Sequence, residues 1–167
     1  VRRYGFHGTS HRYVAGRAAE ALGRPLEDLR LITAHLGNGA SITAIDGGRS
    51  VDTSLGFSSM GGLVMGTRAG DVDPGLLPWL MRHLDLDADG LDDLLYRRSG
   101  LRGLSGLSND VRQLVAASDE GHAGARRALE VFAYRVRKYI GAYHAVLGGV
   151  DALVFTAGIG EHQARVR

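Results

Sequence analysis

The chain contains no cysteine in 167 residues, which excludes a disulfide framework and any thiolate metal centre. It has no apolar segment near the roughly 20 residues that cross a bilayer, and no secretory signal opens it. A cytoplasmic protein is therefore expected, with no membrane partner. It also lacks any run of like charge, and its net charge is only +2. That is too weak a field to point to nucleic acid or to an anionic membrane surface. Two phosphate-binding signatures are missing as well: there is no GxxxxGK[ST] and no Rossmann-type GxGxxG.

Glycine is abundant, with 25 residues scattered between apolar segments and no repeat. Collagen-like and linker readings therefore fail, and many tight loops are implied. Hydrophobic residues make up 44% and charged residues 23%, ordinary values for a globular domain long enough to bury a core. The sequence has no initiating Met, and it ends on GEHQARVR, which reads as the first turns of a helix. So short a helix is not stable alone. An internal piece of a longer protein is the expectation.

Residues 1–9 read as a loop, followed by a helix over 11–23 capped by Thr9 or Ser10 and closed by Gly23 and Pro25. LRLITAHL (29–36) and SITAI (41–45) read as strands. Asp46-Gly47-Gly48 is a hairpin turn into a third strand, RSVDTS. A long glycine-rich loop over 55–73 follows. A helix then starts at Asp73-Pro74 or, because Pro78 conflicts with that start, nearer Leu77. DADGLDDLLYRRSG reads as a short helix ending at Gly100, and SNDVRQLVAAS as another capped by Ser108 or Asn109. Leu129, Phe132, Val136, Tyr139, Ile140, Tyr143, Val146 and Leu147 recur at spacings of three and four, the stripe of one long helix over 123–147 ended by Gly148. DALVFTAG (151–158) reads as a buried strand, after which GIGEH enters a last helix. Hairpin strands joined to a crossover strand predict a mixed α/β sheet with flanking helices in one domain.

Five stretches carry chemistry. HLGNG (35–39) sits at a strand-to-strand turn. It is either a plain Asn-Gly hairpin or a place where glycine amides and Asn38 face phosphate oxygens. TAGIGEH follows a strand and opens a helix, where bare amides favour anions. The alternative is a routine close-packed turn. GFHGTSH sets His7 between glycines before a helix, facing a cleft or merely structural, with His11 assigned to surface or packing. GTRAGDVDP places Arg68, whose planar fork suits phosphate, in the long loop. It could instead pair with Asp71. Asp71 and Asp73 are too few for a metal site, and Asp73 reads as a helix cap. SNDVR puts Asp110 and Arg112 at a helix start, where capping and a solvated arginine are the ordinary reading. Taken together, the set suits phosphoryl transfer, in which a protein chiefly positions reactants and neutralises charge.

RYGFHGTSH, ITAHLGNGASITAI, DTSLGFSSMGGLVMGTRAGDVDP, LSGLSNDVR and LVFTAGIGEH, in this order, closely resemble the acetokinase family, within the actin-like, sugar-kinase and Hsp70 fold group. The resemblance covers essentially the whole chain. It implies an RNase H-like mixed sheet and a partial actin-like ATPase domain. Residues 1–167 would be one incomplete domain, the nucleotide-binding C-terminal half of an acetate kinase, with the N-terminal domain and the C-terminal end absent. It implies reversible phosphoryl transfer from ATP to acetate, giving acetyl phosphate and ADP, with Mg²⁺, in a full-length enzyme that is a homodimer.

By this resemblance His7 and Arg68 stabilise the transferring phosphoryl group. His35, Leu36, Gly37, Asn38 and Gly39 form the ATP phosphate loop. Asp110, Val111 and Arg112 form an adenosine-binding segment, and Gly158, Ile159, Gly160, Glu161 and His162 a second nucleotide segment. Two positions depart from the family pattern: Val111 stands where many members carry an aromatic residue, and His162 where Asn is usual. The family's Mg²⁺-ligating Asn, substrate-binding Arg, catalytic Asp and metal-holding Glu have no counterpart in this chain. No metal ligand is therefore assigned within it, and the chain by itself is expected to be inactive. A propionate kinase would share every motif, and a non-catalytic nucleotide-binding module is the reading from a different class.

Overall fold

The computed structural model describes residues 3–167. The first nine residues were read as a loop, of which Val1 and Arg2 lie outside the described residues. β1 (Arg30–Leu36) pairs antiparallel with β2 (Ala40–Asp46), which pairs antiparallel with β3 (Arg49–Thr53). Gly47 and Gly48 link β2 to β3 at φ 55° and 77°. A two-residue hairpin turn of this hand needs positive φ at both centres, which is why the sequence spends two glycines there. β4 (Ala152–Thr156) adds parallel to the other side of β1, giving the order β3-β2-β1-β4. A parallel neighbour requires a long crossover, here the helices between β3 and β4.

The period of two along β1 sorts its side chains between two layers. Ile32, Ala34 and Leu36 join the larger core, against α5 (Val111–Asp119) and α6 (Ala123–Leu147). On the opposite face Leu31 packs beneath α1 (Gly8–Leu22) with Ala15 and Ala19. Thr33 and His35 share that face and meet the start of α1 through His11 and Ser10. The same alternation that builds the core thus brings polar groups together at one end of the sheet.

α6 has the expected bounds, and Gly148 closes it at φ 66°. Leu129, Phe132, Val136, Tyr143 and Leu147 are buried, but Val146 is exposed. Val146 lies about 70° round the helix from the centre of the stripe, near its last turn.

Several boundaries differ from expectation. α1 begins at Gly8, with His7 at its N-cap and no side-chain cap. Ser10 cannot cap, because its hydroxyl bonds His35 Nδ1. α2 (Leu76–Leu84) starts late enough for Pro78 to occupy the first turn, where its missing N–H is no loss. Asp73 accepts from the amide of Gly75 ahead of that helix. α3 (Ala88–Arg97) is capped by Asp87. Gly100 does not end it but opens a further helix, α4 (Gly100–Ser105). There Gly100 has φ +63°, and a Cβ would sit 2.3 Å from the carbonyl oxygen of Met65. α5 is capped by Asp110, since Ser108 accepts from the Asp110 amide and Asn109 donates to Asn38. α7 (Ala157–His162) starts earlier than GIGEH and is only six residues long. Residues 164–166 form a turn rather than more helix, and Arg167 donates to the carbonyls of Gly160 and Glu161.

Candidate active site

The loop between β1 and β2, Gly37-Asn38-Gly39, lies at the end of the two strands where α1 and the long loop after β3 both arrive. A Cβ on Gly39 would stand 3.5 Å from His7 Nε2 and 3.6 Å from both Nη atoms of Arg68. His7 and Arg68, 61 positions apart in the chain, therefore face the same small space above Gly39. Neither Gly37 nor Gly39 has positive φ, so the glycines serve clearance rather than a left-handed turn. Gly37 donates its N–H to Gly39 O at 3.0 Å, so that amide is already engaged inside the loop and does not face outward.

His7 is half-buried and has φ 61°, a region a non-glycine residue enters only where its surroundings hold it. Its ring stacks on His35 at 4.0 Å and 16°. Its Nδ1 meets Ser41 Oγ at 2.9 Å. Burial, followed by repulsion from His35 when that ring is protonated and from the Arg68 cation, pushes the His7 pKa down to about 4. Burial also pushes His11 down to about 4 and lowers His35. All three rings are neutral at pH 7, and His7 is a neutral hydrogen-bonding group beside a cation.

Arg68 sits in the segment between β3 and α2. Its Nη1 donates to Ser59 O at 2.8 Å, and its own carbonyl accepts from Met65 N. Asp71 does not pair with Arg68. Its carboxylate accepts from the Gly62 amide at 2.6 Å, from Arg135 Nη2 at 2.7 Å and from Tyr139 Oη at 2.5 Å. The loop that carries Arg68 is thus tied to α6 by this carboxylate and by Arg135 Nη2, which also donates to Gly62 O at 3.1 Å. Gly62, at φ +86°, permits the return: a Cβ there would lie 2.4 Å from Ser54 O.

Next to Gly39 opens a cleft of about 490 Å³. Gly37 and Asn38 form its inner end, Asn109 to Arg112 one wall, and Gly158, Ile159, His162 and Gln163 the other. Asn38 Oδ1 accepts from Asn109 Nδ2 at 2.9 Å, and Asn38 O accepts from Gly66 N. Asp110 caps α5 and bonds Arg112 through both Nε and Nη2. Those hydrogen bonds hold its carboxyl below the usual range. Val111 is 3% exposed and packs chiefly into the core.

Other predicted residues lie elsewhere. Leu36 is wholly buried. Gly160 is buried where a Cβ would approach Phe155 and Ala34 backbone at 3.5 and 3.6 Å. Glu161 turns back to accept from the Ala157 amide and Thr156 Oγ1. His35 belongs to the ring stack rather than the cleft. Asn109, Gln163, Ser41 and the role of His11 were missed by sequence reasoning. His11 alone had a signal, because it stands one helical turn from His7. Among the described residues, no three His, Asp or Glu side chains converge to hold a metal ion.

The model of the Acetokinase family matches residues 1–167. The chain belongs to that family. It is 59% identical to the acetate kinase of Bacillus velezensis, over all of this chain and 42% of that protein. Among solved structures, the acetate kinase of Porphyromonas gingivalis superposes with a TM-score of 0.98 at 53% identity, again covering 100% of this chain and 42% of that one. A propionate kinase from Francisella tularensis gives 0.95 at 42% identity, covering 100% and 43%. The chain therefore spans about two-fifths of the length of these relatives, and its mixed sheet with flanking helices is the actin-like ATPase type of fold that they share.

Proposed function

We propose that the protein carrying this chain transfers a phosphoryl group between ATP and acetate, forming acetyl phosphate and ADP, and that this chain supplies the nucleotide cleft and two phosphoryl-stabilising groups. The observation that carries the reading is the convergence of His7 Nε2 and Arg68 over Gly39, next in the chain to Gly37 and Asn38, which form the inner end of a cleft walled by Asn109 to Arg112 and by α7. Two donors facing one space suit an anion, and glycine leaves it room.

In the forward direction a carboxylate oxygen of acetate attacks the γ-phosphorus in line. The bond from that phosphorus to the β,γ-bridging oxygen breaks, and ADP departs. The charge on the transferring group then lies on its outer oxygens. Arg68 offers them a fixed positive fork, and the neutral His7 a hydrogen bond. Asn38, held by Asn109 and Gly66, shapes the phosphate end of the cleft. The Asp110–Arg112 segment and the Gly158–His162 segment line the nucleoside end. Val111 presents less apolar surface there than an aromatic residue would, and His162 replaces the usual amide.

Mg²⁺ would neutralise phosphate charge in this reaction, but the described residues do not form a site for it, so no step is assigned to it here. The metal ligands and the acetate pocket belong, in this reading, to other parts of the full protein, which works as a cytoplasmic homodimer. No helix among the described residues is long and apolar enough to cross a membrane.

The likeness to a propionate kinase favours one alternative substrate. One methylene in a pocket is worth about 1–3 kcal/mol, so the two acids differ in kcat/KM by a factor of roughly 10 to 200. The test is hydroxamate trapping of the acyl phosphate made by the full protein from ATP with acetate and, separately, with propionate. Acetate is expected to give the higher kcat/KM. A higher value for propionate reverses the substrate assignment, and no acyl phosphate from either acid refutes the reaction.

A further inference from the structure

Behind His7 a row of buried polar groups runs into the core. His7 Nδ1 meets Ser41 Oγ at 2.9 Å, the same hydroxyl meets His11 Nε2 at 2.7 Å, and His11 Nδ1 meets Thr33 Oγ1 at 2.7 Å. Ser41 and Thr33 are fully buried and His11 is 4% exposed. A neutral imidazole carries one N–H and one bare nitrogen, and a hydroxyl carries one proton. The row can therefore be polarised in only two ways.

In the first, His7 Nδ1–H donates to Ser41, Ser41 donates to His11 Nε2, and His11 Nδ1–H donates to Thr33 Oγ1. The Thr33 proton then needs an acceptor of its own. Among the described residues the sole hydrogen-bond partner of that hydroxyl is His11 Nδ1, and at 0% exposure solvent does not reach it. A buried donor would be left unmet, an arrangement that folded proteins avoid. In the second, Thr33 donates to His11 Nδ1, His11 Nε2–H donates to Ser41 Oγ, and Ser41 donates to His7 Nδ1. Every buried proton of the row then has an acceptor, and the His7 Nε2–H is left facing the space above Gly39.

We infer that the row runs the second way, so that Thr33, His11 and Ser41 are positioning residues that place the single N–H of His7 on Nε2. That is the nitrogen facing Gly39 and Arg68. The stack on His35, itself held by Ser10, fixes the plane of the ring. Nδ1 is thereby occupied as an acceptor, and Nε2 is left as a donor with its direction set. The consequence for phosphoryl transfer rests on the function proposed above, whereas the tautomer does not. Burial keeps the rings of His7 and His11 neutral, so the ring has one tautomer to choose rather than two protons to carry.

The experiment is a two-bond ¹H–¹⁵N spectrum of the full protein labelled with ¹⁵N-histidine, with the His7 signals assigned by their loss in His7→Gln. The wild type and Thr33→Ser, which keeps the hydroxyl, should show Nε2 protonated and Nδ1 bare. In Thr33→Val and Ser41→Ala the signals should move toward the other tautomer. In the hydroxamate assay the same two variants should lose about 10- to 100-fold in kcat, the scale of a weakened donor to a developing anion. KM for ATP should stay within about twofold, and Thr33→Ser should restore the rate. Protonation of His7 at Nδ1 in the wild type overturns the inference without recourse to any variant. So does an unmoved tautomer in a folded Thr33→Val or Ser41→Ala. A wild type with His7 protonated at Nε2 but forming no acyl phosphate upholds the row of hydrogen bonds while refuting the proposed reaction.

Discussion

The two ends of the cleft are built from opposite materials. Behind the inner end, beyond Gly37 and Asn38, His7, His11 and His35 are wholly or half buried, neutral and bonded to hydroxyls of the sheet and of α1, with His7 stacked on His35, and Arg68 is held by a carbonyl from its own loop. At the outer end, the groups are short polar turns at helix starts, and the Arg112 side chain is 82% exposed, bonded mainly to Asp110 two residues away. A group that must meet charge only as it develops benefits from being fixed beforehand in a poorly solvated place. A group that grips a ligand throughout binding can remain solvated and adjustable. The inner end is therefore where substitutions should alter rate, and the outer end where they should alter affinity.

His7→Ala should break that contrast most severely. It removes a preorganised donor, and kcat of the full protein should fall by about 10²–10³-fold with little change in KM for ATP. Steady-state kinetics at saturating acetate check this. Asp71→Ala comes next. It frees the Gly62 amide and Tyr139 and leaves Arg135 only its bond to Gly62 O, so the tie of the Arg68 loop to α6 is weakened. Stability should drop by about 1–3 kcal/mol, and kcat should fall about tenfold as Arg68 strays. Thermal unfolding and kinetics on one preparation would separate the two effects.

The buried ring of His11 predicts a pH effect. Its folded pKa of about 4 lies below the unfolded value of 6.5, so the unfolded state binds more protons between those values. Stability from this group is complete above about pH 6.5, declines as pH falls toward 4 and levels off below that. The slope is at most about 1.4 kcal/mol per pH unit. The thermal midpoint should be lower at pH 5 than at pH 7, and in His11→Gln that difference should shrink. The smallest change is expected from Arg112→Ala, at an exposed site. KM for ATP should rise about two- to fivefold with kcat intact, an effect under about 1 kcal/mol.

The elements legible in advance were those with local causes. The glycine pair at 47–48, the stripe of α6 and the apolar run of β1 each follow from short-range rules, and the mixed sheet follows from their order. α4 was illegible because Gly100 is there for its approach to Met65, a contact across 35 positions. The start of α1 was misplaced because Ser10 is taken by His35 rather than by the helix. In the site, the glycine loops and Arg68 stood out by composition. The partners of Asp71 and the row from Thr33 to His7 did not, since they depend on which face of β1 each residue occupies once β1 has paired with β2. Glu161 looked like a ligand contact and proved to be occupied with the amide of Ala157.

The most direct test of the division between the two ends is Arg68→Ala in the full protein, with kcat measured by hydroxamate trapping and ATP affinity measured separately by calorimetry. The account predicts a fall in kcat of about 10²–10³-fold with ATP affinity within about threefold of the wild type. An unchanged kcat, or a loss carried mainly by ATP affinity, would contradict it.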